Sequence, residues 1–411
     1  MTSNSLRGSK ICRACDSANL FSALDLGLVP IANELLVSAS STDVFPLHMS
    51  VCRDCGLGQV QDVVSPERLF RDYRYLSSIS QTFLDHASNY AKAVYDDLDW
   101  RKEDWILEIA SNDGYLLRNF VDLGIKVIGV EPAANVAEIA RSHGVQTISD
   151  FFGVALAKQI LQEHGYPRLI IANNVFAHVP NIQNFTEGLS FLMNNRTLAS
   201  IENPSIMNLL IGLQFDSIYH EHYSYLSATS VSNLVQRFGL NLVDVQSIPT
   251  HGGSNRYWLS KDSSLEKKSV EQVIDFEKQN GLFAEDQWKV FSDKVSKILV
   301  DFSQFVADKH SQGETVAGYG AAAKASTLIN ASKIGTGEIA FIVDESPEKC
   351  GRFMPQVGIP IVPRNHLNEH SIEHIVIFPW NLADEIAGKI KASLPDRVKI
   401  WRAIPELEVV K

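Results

Sequence analysis

No run of about 18 or more apolar residues occurs in the 411-residue sequence, so no transmembrane helix is expected. Positive charge is in deficit. The 37 Lys and Arg stand against 48 Asp and Glu, a net of −11. That argues against a general nucleic-acid or acidic-membrane binder, although a local basic groove is compatible with it. Cysteine is scarce, with five residues in all, and the opening Met-Thr-Ser-Asn-Ser-Leu-Arg-Gly lacks the apolar core of a signal peptide. A disulfide framework is therefore not expected, and a reducing cytoplasm is the expected compartment. Internal repeats and low-complexity segments are also missing. What remains is an ordinary globular composition, 45% hydrophobic and 21% charged. Its length suits two to four domains and allows a core without disulfide support.

Four of the five cysteines form two Cys-x-x-Cys pairs, Cys12 with Cys15 and Cys52 with Cys55. Two intervening residues let one turn offer two thiolates to a tetrahedral zinc ion. The 36-residue gap means that the second pair returns from a small sheet. A closed four-cysteine site has no open position and reads as structural; buried or redox-active cysteines are the alternative. Short apolar runs such as 45–51 read as strands in this loop-rich first segment.

Beyond it the pattern becomes α/β. Buried strands are expected at 105–110, 127–131 and 168–172, with a helix over 135–141. A long amphipathic helix over 283–310 carries Phe291, Val295, Ile298, Phe302, Phe305 and Val306 on one face. Further strands at 315–320, 340–344 and 375–378 suggest a second α/β unit, with cuts near 68 and 275.

The strand over 105–110 runs into Ser111-Asn112-Asp113-Gly114, and Glu131 closes the next strand 23 residues after Glu108. An acid at that tip suits recognition of ribose hydroxyls. Ala110 stands where a dinucleotide fingerprint has its first glycine, which favours a sulfonium nucleoside over a pyrophosphate. A generic strand-to-helix turn is the plainer reading. Asn173, Asn174 and His178 follow a strand at the carboxyl edge of the sheet, where ligands sit. The segment 216–225 crowds Tyr219, His220, Glu221, His222, Tyr223 and Tyr225 together. It suits proton transfer or a hydrogen-bonded network better than metal, for which no third ligand is evident. Tyr73 and Tyr75 add two phenols at alternate positions. His251-Gly-Gly-Ser-Asn-Arg256 is either a close backbone approach to a ligand or a simple hairpin. Gly318-Tyr319-Gly320 leads into a helix near Ala322, where Lys324 and free N–H groups fit a phosphate; NAD, or no ligand at all, fits as well.

Taken in order, these motifs, with Pro30-Ile-Ala-Asn33 between the cysteine pairs, resemble the bacterial S-adenosylmethionine-dependent sugar C-methyltransferases over essentially the whole chain. The resemblance implies an α/β protein of three domains. These are a small zinc-binding domain (1–68), a Rossmann-like methyltransferase domain (69–275) and a second Rossmann-like α/β domain (276–411). It implies methylation of carbon 3 of a nucleotide-linked 4-keto deoxysugar, in the biosynthesis of branched sugars. His222 is then the general base, with Tyr219 and Glu221 beside it. Tyr73, preferred to Tyr75 on spacing, joins them, and Asn174 and His178 lie near the reacting centre. The implied cofactor contacts are Glu108, Ala110, Asn112, Gly114, Glu131, Pro132 and Asn173. The implied substrate contacts are Tyr75, His251, Arg256, Tyr319 and Lys324, and Cys12, Cys15, Cys52 and Cys55 hold structural zinc. The nucleotide is expected to be dTDP or GDP, with no nucleic-acid or membrane partner and a monomer or weak homo-oligomer. Methyl transfer to oxygen or nitrogen, an NAD-dependent oxidoreductase, and a non-enzymatic zinc-ribbon module are the competing readings.

Overall fold

The computed structural model describes residues 10–61, 64–70, 76, 78, 81–335, 337–368, 371–392, 394–395 and 397–410. Tyr73 and Tyr75 lie outside the described residues. Among the described residues three sheets organise the fold. The first joins β1 (Leu20–Pro30), β2 (Val44–Cys52) and β3 (Gly58–Val60), all antiparallel. Its fourth strand comes from far along the chain: β9 (Ser224–Tyr225) pairs with β3, Tyr225 opposite Gly58 and Ser224 opposite Gln59.

The second sheet has a parallel core. From one edge it runs β6 (Thr147–Ile148), β5 (Lys126–Val130), β4 (Trp105–Ile109), β7 (Leu169–Asn173) and β8 (Leu198–Pro204). The short apolar runs form these strands because both faces are covered, so no polar alternation is needed. An antiparallel hairpin, β10 (Asn241–Ile248) with β11 (Ser254–Ser260), adds to the β8 edge. The order reverses between β4 and β7, and a ligand crevice belongs at the carboxyl ends of those two strands.

The third sheet repeats this plan with β14 (Ile361–Val362), β13 (Ile342–Val343), β12 (Val316–Tyr319), β15 (His374–Ile377) and β16 (Lys399–Arg402) in parallel. β17 (Glu408–Val409) closes it antiparallel. Its reversal lies between β12 and β15. The long helix Glu285–Ser311 buries Trp288, Phe291, Val295, Ile298, Phe302 and Val306, and the core they enter also holds Leu47 and Met49 of the first sheet and Ile342 and Val376 of the third. Each such side chain contributes roughly 1.5–3 kcal/mol on burial. The first and third sheets are thereby fixed on one core.

The expected cut at 275 falls inside the helix Lys268–Gln279. Its buried Glu277 accepts hydrogen bonds from the N–H groups of Ala228 and Thr229, tying the helix to the second sheet's layer. We propose the boundary just beyond it, at 280–284. Among the described residues no helix is long and apolar enough to cross a membrane.

Candidate active site and zinc centre

The two Cys-x-x-Cys turns close on each other. Sγ of Cys12 lies 3.5 Å from that of Cys55, and Sγ of Cys15 lies 3.6 Å from that of Cys52. All four sulfurs fall within 4.8 Å of one another. Zinc–sulfur bonds of about 2.3 Å in a tetrahedron put sulfurs about 3.8 Å apart, so the set fits the ion. Each turn is a backbone knuckle: Asp16 N–H donates to Cys12 C=O and Gly56 N–H to Cys52 C=O. Asp16 and Gly56 accordingly adopt φ of 63° and 73°.

At the carboxyl end of β4 the loop turns through the left-handed region at Ala110 (φ 56°), Asn112 (φ 49°) and Gly114 (φ 77°). An alanine there costs about 1–2 kcal/mol, which the surrounding contacts absorb. Asn112 N–H donates to Glu131 Oε2 (3.1 Å) and Ala133 N–H to Glu131 Oε1 (2.9 Å), so the acid at the tip of β5 clamps the loop and Pro132 is held between. Burial raises the Glu131 carboxyl's proton affinity. Burial also raises Glu108 well above the usual carboxylate range, helped by the charges of Asp113 and Glu131.

The buried oxygens Glu108 Oε2, Ser111 Oγ, Asp113 Oδ1 and Asn173 Oδ1 find no hydrogen-bond partner among the described residues. The crevice formed by β4, this loop and the tip of β5 presents acid oxygens from Glu108, Asp113 and Glu131, which suit hydrogen-bond donors and not a phosphate. It awaits a donor-rich cation, and S-adenosylmethionine, with ribose hydroxyls, amines and a sulfonium, has that chemistry. Asp113, not singled out from the sequence, belongs to this set; its other oxygen accepts from Ser78 N–H at 3.3 Å. The signal was an acid in the same strand-to-helix turn. Because each Glu131 oxygen keeps a lone pair for a hydroxyl, Glu131→Ala should weaken S-adenosylmethionine binding by roughly 1–3 kcal/mol, measured by calorimetry. An unchanged dissociation constant would move the ribose elsewhere.

Next to this loop, β7 ends in Asn173 and Asn174, the latter at φ 53° with its N–H on Glu202 C=O. His178 follows in a short 3-10 turn, and its Nδ1 lies 2.7 Å from Glu221 C=O. His222 Nδ1 lies 2.9 Å from Ser217 C=O, and its Nε2 lies 2.8 Å from the Tyr219 hydroxyl. Carbonyls only accept, so both imidazoles carry hydrogen on Nδ1 and leave Nε2 as the acceptor. The two rings meet edge to face at 4.7 Å. Burial pushes His178 down to about 4 and His222 well below the ordinary imidazole value, His178 adding its charge against the latter. Both are neutral near pH 7.

Glu221 divides its two oxygens. Its Oε1 accepts from Asn33 N–H (3.1 Å) and Nδ2 (3.0 Å) and so braces the first domain, while its buried Oε2 finds no partner among the described residues. Arg256 has partners within the fold. Its guanidinium donates to buried Glu202 at 2.8 Å and lies over the Tyr90 ring, so it neutralises a core acid. Tyr319 gives its hydroxyl to Glu345 at 2.6 Å.

The third sheet faces this cluster with the loops at its own reversal. Lys324 Nζ sits 4.1 Å over the Trp380 ring and bonds Asn381 (3.2 Å), while Trp380 Nε1 donates to buried Asp216 (2.8 Å). Asp216 belongs to the same short turn as Ser217, which holds His222. Burial pushes Asp216 up to about 6 despite Lys324. His251 (φ 56°) lies near Lys324 and His178, and its buried Nε2 has no partner among the described residues. Trp380 and Asn381 were not singled out from the sequence, whereas Asp216 opens the segment 216–225 that was; the signal was a Trp-Asn pair just beyond a buried strand.

The glycines of the second loop have a packing cause. A Cβ on Gly318 would sit 2.6 Å from Phe378, and one on Gly320 2.5 Å from Pro379. Asp344, the counterpart of Glu131, spends Oδ2 on Ala321 N–H and Lys349 and Oδ1 on Ser346 N–H. It therefore has little left for a ribose, which counts against NAD.

Three family models match consecutive stretches of the chain: a zinc binding domain over 12–70, a methyltransferase domain over 79–245 and a C-methyltransferase C-terminal domain over 249–405. The C-methyltransferase NovU of Streptomyces niveus is 32% identical over 404 residues, covering 97% of this chain and 96% of its own. Among solved structures, magnesium protoporphyrin IX methyltransferase of Synechocystis PCC 6803 matches at 12% identity and a TM-score of 0.32, over 44% of this chain and 79% of that one. A Thermotoga maritima S-adenosylmethionine-dependent methyltransferase matches at 16% and 0.34, over 45% and 95%. Scores this low carry no weight for function. The near full-length relationship and the acceptor-lined loop agree: the chain belongs to the zinc-containing, S-adenosylmethionine-dependent C-methyltransferases.

Proposed function

We propose that the acceptor is carbon 3 of a nucleotide-linked 4-keto deoxysugar, with dTDP or GDP as the nucleotide. The Tyr219–His222 pair carries this reading. Carbon methylation needs a carbon nucleophile, and a neighbouring ketone makes carbon 3 acidic enough for a positioned base to create one. With its Nδ1 hydrogen committed to Ser217, His222 can take a proton only at Nε2, where the Tyr219 hydroxyl already points. Carbon 3 gives its proton to the Tyr219 oxygen as the Tyr219 proton moves to His222 Nε2. The C–H electron pair passes into the enolate. The sequence reading had His222 acting directly; the geometry favours the two acting as one unit. When bound, S-adenosylmethionine supplies an electrophilic methyl group and leaves as a thioether.

The third-sheet loops support a nucleotide-bearing substrate, since Lys324 lies in the first turn of the helix Ala323–Ala331. Lys324→Ala should raise the KM for the nucleotide sugar by about tenfold, equivalent to about 1.4 kcal/mol, and spare S-adenosylmethionine affinity. Titrating each ligand separately checks this, and an unchanged KM would remove Lys324 from the substrate site. The test of the proposal as a whole is a panel of 4-keto nucleotide sugars scored for the mass gain of one methyl. No gain on any member refutes it.

A further inference from the structure

The segment that carries the proton-transfer pair is held almost residue by residue by the zinc-bearing domain. His220 Nε2 bonds Pro46 C=O (3.1 Å) and Glu221 bonds Asn33. The Tyr223 hydroxyl donates to Val64 C=O (2.6 Å), and Val60 N–H donates to Tyr223 C=O (3.1 Å). Ser224 and Tyr225 are strand-paired to Gln59 and Gly58. The Tyr225 hydroxyl in turn accepts from Tyr219 N–H (3.3 Å). Tyr219 and His222 turn their side chains to each other, and the Tyr225 ring meets His222 edge to face at 6.1 Å.

The first zinc knuckle enters this clamp through Arg13, the residue after Cys12. Its N–H donates to Gln59 Oε1 (2.9 Å), and Gln59 Nε2 donates back to Ile11 C=O (3.0 Å). The guanidinium then spans Tyr223 C=O (2.7 Å) and Val60 C=O (2.5 Å). We propose that Arg13 is a positioning residue: zinc sets the knuckle, the knuckle aims Arg13, and Arg13 fixes the backbone one residue after His222. The metal centre thus sets the geometry of proton transfer as well as the stability of its own domain. This rests on the reading of Tyr219 and His222 as the proton-transfer pair.

The test uses the full-length, zinc-loaded protein with 15N-labelled histidine, reading the His222 ring nitrogens by NMR without substrate. The parent should show one neutral Nδ1–H tautomer. Arg13→Gln should keep its zinc and its S-adenosylmethionine affinity, yet lose the single-tautomer signal and drop kcat by about tenfold or more with KM little changed. Arg13→Lys, with one donor group and the charge retained, should recover part of both. Arg13→Gln with its zinc, a parental His222 spectrum and a parental kcat overturns the proposal. If Arg13→Gln fails to hold zinc, Gln59→Leu decides: it removes the side chain that holds Arg13 N–H without touching a cysteine and must also disturb the His222 signal, and a parental signal there overturns the proposal. A wrong acceptor assignment would show separately, as no methylation by the parent protein.

Discussion

Replacing His222 by asparagine is expected to lower kcat by about 10²-fold or more while leaving the affinity for S-adenosylmethionine unchanged. The amide keeps a group of similar size against Ser217 and His178 but has no basic nitrogen for the Tyr219 proton. Tyr219→Phe should cost a similar factor. Because the two act as one unit, the double variant should be no slower than the worse single one. Multiplying losses would mean two independent roles. The pH profile gives a second reading. His222 works as an acceptor only when neutral, and burial lowers its proton affinity well below the ordinary imidazole value. The neutral fraction therefore stays high as pH falls through about 6.5, the unperturbed value, and the acid limb of kcat should lie below it. An acid limb at or above that value would contradict a buried neutral base.

Cys52→Ser is expected to produce the largest loss of stability. Structural zinc sites supply about 10–16 kcal/mol of apparent binding free energy in zinc-finger peptides at pH 7, and that energy is folding energy. Serine is a poor zinc ligand and leaves three thiolates. Cys52 also ends β2, in the centre of the first sheet, so the loss reaches β1 and β3 on either side and β9 beyond β3. Metal analysis should give well below one zinc per chain, against about one for the parent. Calorimetry should show an early transition for the first domain, and turnover should fall with it. A variant without zinc but with the parental melting profile would show that the cysteines are not structural.

Much of the scaffold was legible because its signals are local. β4, β5, β7, β12 and β15 are short apolar runs bounded by turns, and the helix Glu285–Ser311 shows its apolar face in the sequence. The cysteine pairs declare their chemistry by spacing alone. β1 was not legible: register shifts between Ser22 and Leu24 and between Asp25 and Leu28 break the alternation that would have marked an 11-residue strand. β10 has a similar shift between Leu242 and Asp244. β9, two residues long, exists only because β3 is there to pair with.

Within the site, the residue types of segment 219–225 pointed to proton transfer, but their division of labour is tertiary. Nothing near Glu221 in sequence indicates Asn33, 188 residues away, as its partner. Nor does the turn at Gly252 and Gly253 indicate that Glu202 has already claimed Arg256. Gly318 and Gly320 also have a packing cause, close approach to Phe378 and Pro379, that the sequence does not show.

The central claim is that the Tyr219–His222 pair takes a proton from carbon 3 before the methyl moves. It is tested most directly by placing the protein in deuterium oxide with a 4-keto nucleotide sugar and S-adenosylhomocysteine, which cannot donate a methyl, and following the carbon 3 hydrogen by NMR. Deprotonation does not wait for transfer, so the parent protein should wash deuterium into carbon 3, and His222→Asn should do so at least about 10²-fold more slowly. Equal exchange by both proteins would place the base elsewhere and contradict the account.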